Sequence, residues 1–341
     1  MASLQLTLGD IREEVQRYLG YGRESSFDSL AENQKGDIVS IVNRGLRQFY
    51  NPTPLPNESS SHDWSFLRGE GAIQTVAPYS TGTVSATGGT INVTGAGTSF
   101  SAAMVGRIFK SGGTIREVAS RSTATAITVD LNFVDTIAAL SAYEIVAHEY
   151  TLPDDFGGIR GEIAFRDDSG YSPLRLVNES TIRRLRTEGD YTKDVPEYVA
   201  IIPEDTDSES QTAQKFKLSL WPFPDKAYDL LFSYTVNVKA MTTETSYSVA
   251  DDLHVPVGGV YHSETILASC LAVAESIVDE FNSPGKMQAR YIERLTASIS
   301  YDRRNMLPDG FGYNGDHSDR TISSVTRRRV QNVTRNNVLF P

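Results

Sequence analysis

Residues 150–156 read YTLPDDF. A tyrosine suited to a strand runs into a proline, two acids and an aromatic, which is how a strand ends at an exposed turn. Upstream of it, from about Ser80 to Val146, lies a stretch rich in Gly, Thr and Ser whose short Val, Ile and Thr runs are separated by glycine pairs. That pattern predicts a small all-β module with tight turns. YTLPDDF is therefore read as the point where the chain returns from an inserted module to its main sheet.

Working outward, helical periodicity brackets the β region on both sides. Thr7 to Leu19 places Ile11, Val15 and Tyr18 on one face, opens with Thr7-x-x-Asp10 and stops at Gly20 and Gly22. Ile38, Ile41, Val42, Leu46 and Phe49 repeat at three and four until NPTPLP, Asn51 to Pro56, forbids continuation. After Pro256 a stripe of Leu267, Cys270, Leu271, Ala274, Ile277, Val278 and Phe281 runs to the breaker NSPG, Asn282 to Gly285. Met287, Tyr291, Ile292, Leu295 and Ile299 form another, and so short a turn between the two predicts antiparallel packing.

Between the helical ends the period is two. HDWSFL, His62 to Leu67, reads as the approach to a sheet, with Trp64 and Phe66 on one face. PEYVAIIPED supplies Tyr198, Ala200 and Ile202, and the segment from Lys215 supplies Phe216, Leu218 and Leu220, then Leu230, Phe232 and Tyr234 after the turn at Pro222 to Pro224. Consecutive strands without intervening helices predict an antiparallel meander.

The predicted fold class is α+β: an antiparallel β layer flanked by an N-terminal and a C-terminal helix pair, with an inserted small all-β domain and an extended C-terminal arm. Residues 1–79 and 147–305 form the core, with helices at 7–20, 33–50, 258–282 and 286–305; residues 80–146 are the insertion and 306–341 the arm. The arm is polar and rich in Gly, Asn, Ser and Arg, with an apolar end. It is not expected to fold alone.

Net charge is −11, which argues against a general nucleic-acid coat, since phosphate binding needs clustered Lys and Arg. The exception is Thr321 to Pro341, which carries Arg327, Arg328, Arg329 and Arg335 and no acid. No apolar run reaches the ~18 residues of a membrane span, and the start, MASLQLTLGD, lacks the basic and apolar regions of an export signal. The expected location is the compartment of synthesis. The single cysteine, Cys270, leaves no intramolecular disulfide and reads as a small core residue. Matches to Asn-x-Ser/Thr at Asn57, Asn92, Asn178 and Asn332 matter only in a secreted eukaryotic protein.

Chemistry is sparse. His62, His148, His254, His262 and His317 make no H-x-x-x-H pair and none neighbours a cysteine. The pairs Asp154-Asp155, Asp167-Asp168 and Asp251-Asp252 sit beside turn formers and read as solvated turns rather than as cation or acid/base sites. TGAGT lacks the Gly-Lys-Ser/Thr of a phosphate loop, and neither a nucleophile elbow nor a dinucleotide fingerprint occurs. No catalytic residue, metal or cofactor is expected.

With this order of elements in view, LGDIREEVQRYLGYG at Leu8 to Gly22, IVNRGLRQFYNP at Ile41 to Pro52, HDWSFL, YTLPDDF and LWPFP at Leu220 to Pro224 carry a resemblance. The chain resembles the head-to-tail adaptor, or connector, proteins of tailed bacteriophages, podovirus-like, with an inserted small β module similar to those that recur in virion proteins. The resemblance implies a virion structural protein in the neck between head and tail, made in the host cytoplasm. It also implies a ring of copies, typically a dodecamer, that binds the portal protein on one side and the next tail or nozzle component on the other. DNA would pass through the ring without specific binding, which suits an acidic protein. A C-terminal arm that docks on the portal would use Arg327, Arg328, Arg329 and Arg335 against acids and Val338, Leu339 and Phe340 in a groove.

Two other readings compete. A virion receptor- or carbohydrate-binding protein would act through the inserted module, though the long repeated β patterns of tail spikes are missing. An enzyme such as a cell-wall hydrolase would need an acid or metal constellation that the sequence does not display.

Overall fold

Thr7 starts the first helix as its sequence suggests: its Oγ1 accepts from Asp10 N at 3.2 Å, and Asp10 Oδ2 accepts from Thr7 N at 2.8 Å. Such reciprocal caps satisfy two orphan donors and contribute about 1 kcal/mol. In the computed structural model the chain is α+β, with helices at both ends and antiparallel sheets between them. The structure describes residues 4–22, 27–55, 60–166, 170–188, 191–204, 214–241, 252–278, 285–305, 334–335 and 338–339. Its helices there are α1 (Leu8–Tyr18), α2 (Glu32–Tyr50), α3 (Glu179–Glu188), α4 (Val260–Val278) and α5 (Lys286–Asn305). Two compact units emerge, Met1–Phe66 with Ala240–Pro341, and Leu67–Lys239.

In the first unit α4 is the central helix, touching α1, α2 and α5. It is apolar or small around most of its circumference, and Ile266, Ala268, Ser269, Cys270, Ala272 and Ala274 are all buried. This is wider than the predicted stripe, and Ile277 and Val278 are exposed. A helix with three neighbours buries more than one face. Phe281 and residues 282–284 of the NSPG turn lie outside the described residues. Where α5 begins, the Glu275 carboxylate of α4 accepts from Met287 N at 2.8 Å and Gln288 N at 3.1 Å.

HDWSFL does not enter the sheet as expected. Residues 61–67 form no strand, and the first strand starts at Arg68. Trp64 instead completes the helical core: its indole N–H donates to Phe49 O at 2.9 Å, and the two rings lie 4.6 Å apart. Phe49 is one residue from the end of α2, where carbonyls lack helical partners, so a buried indole N–H and an orphan acceptor satisfy each other there.

The second unit contains two β bodies. Strand β1 (Arg68–Gln74) precedes the module strands β2 (Thr83–Ala86), β3 (Asn92–Ala96), β4 (Ile108–Ser111), β5 (Thr114–Thr123), β6 (Ala126–Val129), β7 (Ile137–Ser141) and β8 (Glu144–Val146). These seven form one curled antiparallel sheet in the order β7-β2-β3-β6-β5-β4-β8. Its concave side buries its own core, including Val93, Phe100, Phe109, Val118, Phe133 and Ile145. The ends of the excursion meet: Tyr79 and Ile145 exchange backbone hydrogen bonds at 2.9 and 2.8 Å.

After the module come β9 (Glu149–Thr151), β10 (Phe156–Phe165), β11 (Arg175–Leu176), β12 (Lys193–Asp194), β13 (Tyr198–Pro203), β14 (Phe216–Trp221), β15 (Phe223–Pro224) and β16 (Asp229–Val236). They do not make one meander. A three-stranded sheet β1-β16-β10 and a four-stranded sheet β11-β13-β14-β9 share a core of Leu152, Phe156, Ile163, Val199, Leu218 and Phe232 with their neighbours. The pair β12 and β15 is parallel, as is β11 with β13.

YTLPDDF is the corner between those sheets. Tyr150 and Thr151 pair with Leu218 and Lys217 in one, and Phe156 pairs with Val236 in the other. Pro153 O accepts from Phe156 N at 3.0 Å, Asp155 Oδ1 accepts from the Tyr234 hydroxyl at 3.0 Å, and Asp154 pairs with Lys215 at 3.2 Å. Leu152 and Phe156, on either side of the turn, are both buried.

One helix has no counterpart in the sequence reading. α3 packs Ile182 and Leu185 on Tyr198, Ala200 and Trp221, so the face of β13 with Tyr198 and Ala200 meets α3 while Val199 and Ile201 face the sandwich core. Its N-terminus is capped by Asn178, whose Oδ1 accepts from Ser180 N at 3.0 Å.

Candidate functional site

The arm residues singled out by sequence fall mostly outside the described residues, including Arg327, Arg328, Arg329 and Phe340. What is described is a short hairpin, β17 (Thr334–Arg335) with β18 (Val338–Leu339), in which Arg335 pairs with Val338 and Thr334 with Leu339. The fold therefore brings three of the singled-out positions, Arg335, Val338 and Leu339, into one turn of chain.

Each unit holds a polar cluster, buried in the helical unit and half-buried in the second. In the helical unit Asp302 of α5 accepts from Ser65 N at 3.0 Å and from the Ser65 hydroxyl, and pairs with His62 Nε2 at 2.8 Å. Burial pushes the Asp302 carboxyl up, but the bonds from Ser65 and His62 outweigh it and hold it below its ordinary value. The serine, histidine and aspartate here do not form a nucleophile relay, because both Ser65 and His62 address the carboxylate and not each other. The cluster pins the 62–65 segment to α5. Beside it His262, buried among Phe49, Trp64, Phe66 and Tyr301, has its pKa lowered by burial, and its Nδ1 has no hydrogen-bond partner.

In the second unit Arg186 of α3 reaches the four-stranded sheet, donating to Ser219 Oγ at 2.6 Å with its guanidinium 5.6 Å from the Phe223 ring centre. Burial lowers the Arg186 pKa. Glu149 is held below its ordinary value by the hydrogen bond from His148, against its burial, with further help from Lys217 and Arg186. This network of charges ties α3 to strands β9 and β14, and sequence reasoning did not find it. The available signals were Asn178 before a run with Ile182 and Leu185 three apart, and an arginine on the same face.

Of the acid pairs, Asp154 and Asp155 lie in the YTLPDDF turn, bound to Lys215 and Tyr234. Asp252 pairs with the buried Arg12, whose guanidinium lies 4.2 Å from the Phe27 ring centre; Asp167, Asp168 and Asp251 lie outside the described residues. Among the described residues no group of three His, Cys, Asp or Glu side chains is placed to hold a metal ion, and no helix is long and apolar enough to cross a membrane. A cavity of about 370 Å³ lies between residues 170–175 and 194–197, walled by Tyr171, Pro173, Arg175, Asp194 and Glu197. No protein-family model and no curated protein matches the chain.

Proposed function

We propose that the chain is a structural protein of a tailed-bacteriophage virion, a head-to-tail adaptor. Copies of it form a ring in the neck that binds the portal protein and the next tail component and lets DNA pass. The observation that supports this most is the division of labour along the chain: helices drawn from its two ends form one unit, the β strands between them another, and the chain ends in a basic segment free of acids. The two polar clusters fasten elements to one another, which suits a part built to hold shape under load. The reading assigns no catalytic step.

Electron cryo-microscopy of intact particles tests it. A ring directly beneath the portal, with C-terminal arms entering between portal subunits, is the expected density. Density confined to distal fibres or to the capsid surface overturns it.

A receptor- or carbohydrate-binding role draws support from one feature, the independent core of the module together with the outward-facing Leu131, Val134 and Leu140. Glycan-array binding by the protein, lost when residues 80–146 are excised, is the result that would favour this reading.

A further inference from the structure

The segment LHVPVGGVY, Leu253 to Tyr261, leads into α4 with Leu253, Val255, Val257, Val260 and Tyr261 exposed, the first and last at 77% and 69%. Its backbone is held in place. His254 O accepts from Leu8 N at 2.8 Å, Pro256 O from the Gln5 side-chain amide at 2.8 Å, and Val257 O from the Tyr50 hydroxyl at 2.9 Å. The fold thus fixes a short apolar strip toward solvent, and a contiguous exposed strip of this kind marks a surface that something covers.

Two facts identify the occupant. The first is position: Tyr301, in the last turns of α5, stacks on Tyr261 at 4.2 Å, with the Arg304 guanidinium 5.9 Å from the Tyr301 ring centre. The chain beyond Asn305 therefore departs from the edge of the strip. The second is chemistry: residues 321–341 end in the apolar run Val338-Leu339-Phe340, which matches an apolar strip, while Asp252 and Glu264 at the two ends of the strip already pair with Arg12 and Arg294.

We propose that the strip Leu253–Tyr261 is the docking site of the chain's own C-terminal segment, residues 321–341, in the free protein. Leu339 and Phe340 cover the exposed valines and Tyr261. Only residues 306–320 separate the segment from α5, and a connection that short keeps attached partners at roughly millimolar effective concentration, which favours the same chain over a second copy. The strip is then exposed only when another surface takes the arm. The inference depends on the adaptor reading solely for the identity of that surface.

The test uses the full-length chain in isolation, so its result does not depend on the adaptor reading. Val257→Cys and Phe340→Cys are introduced together, and the native thiol stays out of the reaction because Cys270 is fully buried, with its pKa pushed up to about 12 by burial. Mild oxidation is expected to give a disulfide within one chain, monomeric on a non-reducing gel and several-fold above a Thr187→Cys, Phe340→Cys control. A yield no higher than the control, or cross-linking only between chains, overturns the proposal. If the double variant does not fold, hydrogen exchange on the unaltered chain decides: protection of the 338–340 amides that is lost in Phe340→Asp is expected, and its absence overturns the proposal equally.

Discussion

Gly45 of α2 and Cys270 of α4 meet with no room for a side chain between them: a Cβ on Gly45 would lie 2.6 Å from Cys270 Sγ and 2.7 Å from its Cα. Ser269 Oγ donates to Gly45 O across the same contact at 2.8 Å. A glycine inside a helix costs about 1 kcal/mol relative to alanine, so the close approach of the two helices is what requires it. Gly45→Ala is expected to gain that propensity and lose more by forcing backbone apart, a net loss of about 1–3 kcal/mol of the helical unit's stability in chemical denaturation. An alanine variant at least as stable as the parent would show that α2 and α4 can part freely.

Glu275 stands where a helix N-cap usually stands, although it belongs to the preceding helix. Glu275→Ala removes the acceptor for two α5 amides and is expected to destabilise the helical unit by about 1 kcal/mol, read as a lowered unfolding midpoint, with Glu275→Gln losing less. Gly285 leaves no room for a Cβ beside that carboxylate, so Gly285→Ala should give a loss similar to Glu275→Ala.

The buried His262 makes the helical unit sensitive to mild acid. Its folded pKa is depressed, so as pH falls below the ordinary histidine value near 6.5 the unfolded chain takes up a proton that the folded chain resists, and stability drops. The slope approaches about 1.4 kcal/mol per pH unit for one such proton. Asp302 adds a second loss at lower pH, because a depressed carboxylate stabilises above its unfolded value near 3.9 and ceases to do so as pH falls through its folded value. Urea midpoints from pH 7.5 to 5 are expected to fall in the parent and to flatten in His262→Phe.

Since the module's ends meet at Tyr79 and Ile145, residues 80–146 are expected to be removable. Replacing them with a short Gly-Ser linker should leave the sandwich folded, with near-native thermal unfolding of the remainder. Within the module, Phe109→Ala empties a fully buried site between Phe133 and Tyr143 and should cost about 3–5 kcal/mol, read as early loss of module structure in hydrogen exchange.

On the adaptor reading, deleting residues 321–341 should abolish capture of the chain by purified portal protein, and Arg327→Glu with Arg329→Glu should weaken it at least tenfold in a salt-dependent manner. Capture unchanged by the deletion would make the arm dispensable.

Local pattern determined much of this fold. The apolar spacing from Ile38 to Phe49 and from Met287 to Ile299, the Thr7 cap and the glycine-spaced Val and Thr runs each commit a few neighbouring residues to one backbone geometry, and each could be read without a partner in view. α3 escaped because its apolar face is narrow, Ile182 and Leu185 among arginines, and because Asn178 invited a different reading. Trp64 and Phe66 alternate like strand residues, yet an indole N–H needs an acceptor, and the nearest one was the open end of α2, brought there only by folding. YTLPDDF shows the same division. Its proline and acids determined that a strand stops there. That the next strand begins in the opposite sheet was decided by pairing with Lys217, Leu218 and Val236, some 60 to 80 residues away, because strand partners are chosen by non-local packing and leave no local mark.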